Sequence, residues 1–271
     1  MSGWALGIAY NGKTFHGWQR QPSVPTVQSM LELAASKIAD EPITLTVAGR
    51  TDKGVHASAQ VASFKTQAIR TEYDWLRGLN GLTNPAVQVV WVRALETPFH
   101  ARYDAVSRTY NYLFMDNAPR GDVFSHDLAW CCEPLNVDAM HNEARSLLGE
   151  HDFSSFRAAG CQSVSPMRRI NRCVVRRQGP YVVMEIEANA FVLHMVRNIA
   201  SALYDVGVGQ PRGTITELLD LKDRDKLGLT APAQGLYLTG VSYPQHNFPD
   251  SEPPRHLIGN STFIPASLPL D

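Results

Sequence analysis

Apolar positions along the chain follow two periods, one near two residues and one near 3.6, and their order predicts the fold. Residues 4–10 read as a strand, and Asn11-Gly12 is a turn signal. Thr26 stands as an N-cap before a helix in which Val27, Met30, Leu31, Ala34, Ala35 and Ile38 share one face. A β-branched run over 43–48 and an alternating run over 60–66 predict two strands. Between them lies the loop Gly49-Arg50-Thr51-Asp52-Lys53-Gly54. A short helix over 72–79 and an apolar strand over 87–95 complete the order β-α-β-β-α-β. That order is a split βαβ, or ferredoxin-like, unit with helices on one face of an antiparallel sheet.

The second half repeats the theme with insertions. Strands are predicted over 107–115 and 128–132, and a helix over 137–148 behind Asn136 as its cap. Runs over 170–177 and 181–188 flank Gln178-Gly179-Pro180 and read as a hairpin. A helix over 191–206 buries Leu193, Val196, Ile199, Ala200 and Leu203, and Thr214 with Glu217 forms a capping box for another. A last strand over 235–243 closes the sheet. The fold class is α+β: two ferredoxin-like halves, residues 1–100 and 101–245, whose antiparallel sheets join edge to edge into one large mixed sheet with helices on one face and a central cleft. Residues 246–271 read as an irregular tail, since the last 28 residues hold six of the seventeen prolines and lose periodicity.

Composition narrows the class. With 271 residues and a net charge of −1, the chain is long enough for real cores but is no indiscriminate coat for nucleic acid, so an RNA site must be a local basic patch. The start of the chain lacks a leader pattern and no run approaches a membrane span, which reads as cytoplasmic. Cys131, Cys132, Cys161 and Cys173 show no C-x-x-C spacing and no zinc pattern with the histidines, so no metal is expected.

The loop from Gly49 to Gly54 is the chemical focus. On local pattern alone, Asp-Lys-Gly between strands is ordinary hairpin chemistry. The longer string G-R-T-D-K-G-V-H-A over 49–57 resembles the signature of the tRNA pseudouridine synthase A family. Phe191-Val192-Leu193-His194-Met195-Val196-Arg197-Asn198 is similar to a second family string, and the resemblance spans roughly residues 4–243. It implies Asp52 as the catalytic nucleophile and Arg197 as its guanidinium partner; by pattern alone Arg197 would sit at the edge of a buried stripe. It places Tyr110 against the target uracil, with Leu236 as an apolar contact to the same base, although either is equally at home in a core. Arg50 would hold a phosphate. Phe99, His100, Arg102 and Tyr103 belong to a segment that displaces the base, and Gln162 and Ser163 to a second RNA-contacting loop. His194 reads as structural. Arg168, Arg169, Arg172, Arg176 and Arg177 form the densest basic cluster, of which a minority is expected to touch RNA. Lys53 departs from the family, which usually has Ala there.

The reaction so implied is isomerisation of uridine to pseudouridine at positions 38, 39 and 40 in the anticodon arm of tRNA, without cofactor or metal, by a homodimer. Asp52 could attack C1′ or C6, or remove the C2′ proton. A rival reading is a non-catalytic RNA-binding protein of two RRM-like modules, but its aromatic strand motif is absent. A carboxylate-dependent hydrolase would need a second acid, which the loop does not offer.

Overall fold

The computed structural model describes residues 2–116 and 125–249. The first half runs β1 (Ser2–Tyr10), α1 (Val27–Ala39), β2 (Thr46–Val47), β3 (His56–Thr66), α2 (Glu72–Leu82) and β4 (Val87–Leu95). The second runs β5 (Ser107–Met115), β6 (Trp130–Cys131), α3 (Val137–Ala144), β7 (Gly149–Asp152), β8 (Met167–Gln178), β9 (Tyr181–Ala188), α4 (Met195–Gly207), α5 (Ile215–Leu221) and β10 (Leu236–Ser242). All the strands share one sheet in the order β4-β1-β3-β10-β5-β9-β8-β7, with β2 paired to β3 and β6 to β5.

Both halves use the same strand order. In the first, β4-β1-β3 continues to β2; in the second, β10-β5-β9 continues to β8. This is the ferredoxin-like arrangement twice over, with every pairing inside each set antiparallel. The seam is the parallel pairing of β10 with the start of β3, Tyr237 opposite His56 and Leu238 opposite Ala57. The last strand of the chain therefore lies in the middle of the sheet, and the parallel seam makes the sheet mixed.

The five helices contribute to one apolar layer against the sheet, where Trp18, Trp75, Tyr112, Phe114, Phe153 and Phe156 are fully buried. Trp75 of α2 packs edge-on against Phe64 and tilted against Trp4, and its truncation to Ala would cost about 3–5 kcal/mol. Thr71 and Asp74 form a capping box that starts α2, and Thr214 and Glu217 do the same for α5. Gly78 lets α2 approach α1, since a Cβ there would stand 2.8 Å from Ile38 Cδ1. Two smaller apolar clusters lie apart from this layer, one of them built on Trp91, Phe99, Tyr243 and the partly buried Phe248.

Several element boundaries differ from the sequence reading. The strand expected over 43–48 shortens to Thr46–Val47, because α1 takes the earlier backbone donors: Ile43 N–H donates to Ser36 Oγ and Leu45 N–H to Glu32 Oε1, each at 2.9 Å. The next strand starts four residues earlier, at His56, where it meets β10. The strand over 128–132 shrinks to Trp130–Cys131. Helix 137–148 ends as an α-helix at Ala144 and tightens into a 3₁₀ turn, Arg145–Leu147. The edge strand β7 was not foreseen. The helix expected from 191 begins at Met195, leaving 189–194 as a loop that bears on the site. Of the tail, residues 246–249 are described and carry no helix or strand; 250–271 lie outside the described residues.

Candidate active site

Asp52 stands on the loop between β2 and β3, beside the seam where the two halves meet. The loop closes through Val55 N–H donating to Asp52 O at 3.1 Å, with Gly54 at φ +82°. Thr51, buried beside it, shares a hydrogen bond of 2.7 Å with Tyr10 Oη. Gln60 Nε2 donates to Gly49 O at 2.7 Å and to Tyr10 Oη at 3.3 Å, and Trp18 N–H donates to Thr51 O at 3.0 Å. Buried polar groups cost free energy unless paired, so this network fixes the loop rather than merely decorating it. Burial pushes the Tyr10 phenol up to about 12 against the opposing effect of its hydrogen bonds to Thr51 and Gln60, so it stays a neutral donor.

From the other half, α4 and its N-cap residue bring two side chains to the same carboxylate oxygen. Arg197 Nη1 lies 3.7 Å from Asp52 Oδ2, and His194 Nε2 lies 3.4 Å from it. Arg197 is itself aimed by its Nε, which donates to Ala231 O at 2.7 Å. A guanidinium at this range attracts the carboxylate and restrains its orientation. Here the sequence reading of His194 is corrected: it faces the site instead of serving only the core. The available signal was its place one turn before Arg197 in the chain.

These residues line a cleft of about 600 Å³, walled by both halves. Tyr110, on β5, forms part of the wall and meets Phe191 edge to face at 5.1 Å. A Cβ built on Gly49 would come within 3.6 Å of Tyr110 Oη, which puts the phenol against the loop of Asp52. Burial raises the Tyr110 pKa, and the negative charge of Asp52 adds to that, so the side chain is a phenol and not a phenolate. Tyr112 lies on the same face but deeper, its hydroxyl donating to Pro232 O at 2.8 Å, and it does not line the cleft. Leu236, the first residue of β10 and almost fully buried, lines the cleft as well.

The charge of the cleft contrasts with that of the chain. Five arginines, Arg50, Arg102, Arg108, Arg168 and Arg197, line it together with one acid, Asp52. Arg50 Nη1 donates to Gln162 Oε1 at 3.1 Å, which joins the loop of Asp52 to the loop carrying Gln162 and Ser163. Ser163 Oγ accepts from Arg168 Nη2 at 2.6 Å, and Ser163 O accepts from Arg157. Arg102 is exposed at the rim, 5.9 Å from the ring of Tyr103, which stacks on His100 at 4.2 Å. Phe99, listed with them by sequence, is buried instead among Tyr243, His246 and Phe248, so it anchors the segment and offers no face to a ligand. Lys53 is exposed and lies outside the cleft lining.

Most of the basic cluster on β8 is already paired. Arg172 and Arg176 both meet Glu185, and Arg177 makes a two-pronged contact with Asp116, whose carboxyl it holds below the usual range. Sequence reasoning also passed over Arg108. It is buried, has no acid partner among the described residues, and spends its guanidinium on backbone carbonyls of Ala48, Arg102, Ala105 and Asn189. Desolvation lowers its pKa somewhat from the arginine value.

A cationic cleft around one restrained carboxylate, set where two ferredoxin-like sheets fuse, describes a protein that admits a polyanion to a single acid group. The family model described as tRNA pseudouridine synthase matches residues 7–104 and 144–244, and the chain belongs to that family. It is 50% identical over 241 residues to tRNA pseudouridine synthase A of Pectobacterium atrosepticum, covering 89% of this chain and 85% of that one. The protein of the same name from Methylococcus capsulatus is 50% identical over 242 residues, covering 89% of both, and that of Escherichia coli 48% over 241, again covering 89% of both. A solved Cbf5-Nop10-Gar1 complex aligns with a TM-score of 0.33 at 11% identity over 74% of this chain and 54% of that one, a likeness too slight to bear on the fold. Nothing in these relationships supports the non-catalytic RRM-like reading.

Proposed function

We propose that this chain isomerises uridine to pseudouridine in the anticodon arm of tRNA, at positions 38, 39 and 40, with Asp52 as nucleophile. The observation that carries the reading is the Asp52 carboxylate, approached at Oδ2 by His194 and Arg197, in the one acidic position of an arginine-lined cleft. The resemblance of the sequence supports the positions, and also a homodimer at work in the cytoplasm.

The reaction breaks the N1–C1′ bond and forms C5–C1′; the C5 proton leaves and N1 gains one. No redox change or phosphate donor enters. The target nucleotide is stacked within the arm and must be extruded, at a cost of a few kcal/mol. Arg102 at the rim is placed to fill the vacated space, and Arg50 and Arg168 to take phosphates. Inside, Tyr110 and Leu236 hold the detached uracil while it turns, which keeps it from diffusing away. Three routes fit the carboxylate: attack at C1′, attack at C6, or removal of the C2′ proton to give a glycal. All use it as a carboxylate, which Arg197 helps to orient. As a neutral phenol, Tyr110 packs against the base and can exchange its proton only with a partner that replaces it.

Asp52→Asn keeps the shape of the loop and removes the charge. With unmodified tRNA this variant should bind but yield no pseudouridine at 38, 39 or 40 by base-resolution mapping. Turnover by the variant overturns the assignment of the nucleophile; pseudouridine at other positions from the unaltered chain overturns the assignment of the target.

A further inference from the structure

His194 is ill suited to its position by the ordinary rules of helix termini. It is the N-cap of α4, yet its side chain makes no capping hydrogen bond, as Ser, Thr, Asp or Asn would there. Its backbone is left-handed, φ 61° and ψ 5°, a conformation uncommon outside glycine, although His, like Asn and Asp, visits it more often than other residues. Strain of this kind persists where the surroundings over-determine it, and it clusters at functional sites. What the conformation achieves here is geometric. It sets Nε2 3.4 Å from Asp52 Oδ2, the oxygen that Arg197 approaches at 3.7 Å.

We propose that His194 is a positioning residue for the nucleophile: its Nε2, together with Arg197, holds Oδ2 of Asp52 and so sets the orientation in which the carboxylate meets the nucleotide. The proposal rests on the reading of Asp52 as nucleophile. The contact is long for a hydrogen bond, as catalytic contacts characteristically are before substrate binds and tightens them. A neutral donor has an advantage over a second full cation. It fixes the carboxylate rotamer without drawing off the electron density that makes it nucleophilic, whereas imidazolium would do both.

Protonation therefore acts as an off-switch, and the charges around the ring set where it falls. Asp52 on the β2–β3 loop favours imidazolium. Burial opposes it most, followed by Arg197 on α4 and Arg224 in the 3₁₀ turn after α5. The Cys161 thiol touches the chain one residue away, accepting from Leu193 N–H at 3.4 Å. The balance puts the pKa below the ordinary 6.5, so the ring is neutral at physiological pH.

Three variants test this, each assayed as full-length protein for tRNA binding, thermal unfolding and single-turnover pseudouridine formation. His194→Gly removes the side chain and relieves the left-handed strain, so its melting temperature should equal or exceed that of the unaltered chain. Its rate should fall about 10- to 100-fold with tRNA affinity unchanged, the scale expected when a reacting group is left loosely held. His194→Gln restores a donor and should recover most of that rate. It should also lack the acid limb expected of the unaltered chain at a pH lower than the ordinary histidine range, since an amide does not titrate there. A His194→Gly protein with an undiminished rate, or an acid limb that survives in His194→Gln, overturns the proposal. Asp52→Asn run in parallel separates the two readings: if it is active, the nucleophile is wrong; if it is dead while His194→Gly is unimpaired, only the role of His194 falls.

Discussion

Arg108 donates twice to the carbonyl oxygen of Ala48, through Nε at 3.2 Å and Nη2 at 2.9 Å. Ala48 is the residue before Gly49, where the nucleophile loop begins. The same guanidinium reaches Arg102 O at 2.7 Å, Ala105 O at 2.9 Å and Asn189 O at 3.0 Å. It thus ties together the loop of Asp52, the rim segment of Arg102 and the loop leading to His194. A planar fork of five donors is what this requires, and Lys offers three donors from one point. Arg108→Lys should leave several buried carbonyls without partners, each worth about 1–3 kcal/mol. The melting temperature should drop by several degrees and pseudouridine formation by more than tenfold, as measured by thermal unfolding and tRNA mapping. Equal stability in the Lys variant would show that the carbonyl cluster does not depend on the fork.

Gly17 fixes the same loop from another side. Its φ is +86°, and a Cβ would lie 2.6 Å from Thr51 O and 3.1 Å from the carbonyl carbon of Asp52. Both neighbours are backbone and neither can swing aside. Gly17→Ala should therefore push Asp52 out of line with Arg197, with a loss of activity larger than the loss of stability. Comparing kcat with the melting temperature checks this; intact kcat counts against a rigid loop.

His56 gives the chain a sensitivity to acid away from the cleft lining. Its Nδ1 accepts from Gly12 N–H at 3.1 Å, so Nε2 carries the proton toward Asp127 O, and the ring stacks on Tyr237 at 4.6 Å. Burial lowers its pKa from 6.5 to about 4, partly offset by its contacts to backbone carbonyls. Between those values the unfolded chain binds a proton that the folded one refuses. Stability is then fully present above pH 6.5 and falls as the pH drops toward 4, by on the order of 3 kcal/mol. Melting temperatures across that window should decline less steeply in His56→Gln, and parallel slopes would remove His56 as the cause.

The arginines differ in what they can offer RNA. Arg50 contacts only neutral Gln162, while Arg172 is taken up by Glu185 at 2.9 Å. Arg50→Ala should weaken tRNA binding and reduce the slope of log affinity against log salt by about 1, as one lost phosphate contact does. Arg172→Ala should change neither. Filter binding over a range of salt concentrations distinguishes the two, and equal effects would mean that the pairing on β8 is exchanged for RNA.

The elements were legible because their causes are local. Thr26 and Thr214 each accept a hydrogen bond at the start of their helix as the sequence implies. The alternation of Tyr110 and Tyr112 does place both on one face. Where local pattern failed, a distant partner had intervened. Ile43 and Leu45 have strand-like side chains, but Ser36 and Glu32 of α1 claim their N–H groups. Phe99 sits in a segment similar to an RNA-contacting one, yet Phe248, far along the chain, helps cover it.

By itself the sequence determined the kinds of element, their doubled order and the identity of the acid on its glycine-bounded loop, because these depend on side-chain period, backbone freedom and a motif contiguous in the chain. Only the tertiary structure decided which charges meet. Asp52 is joined to His194 and Arg197 across more than 140 positions, Arg108 is turned inward onto carbonyls, and the arginines of β8 are cancelled by their neighbours. Electrostatic partners are chosen by distance in space, and here that distance is set by the seam between β3 and β10, which pairs Tyr237 and Leu238 with His56 and Ala57.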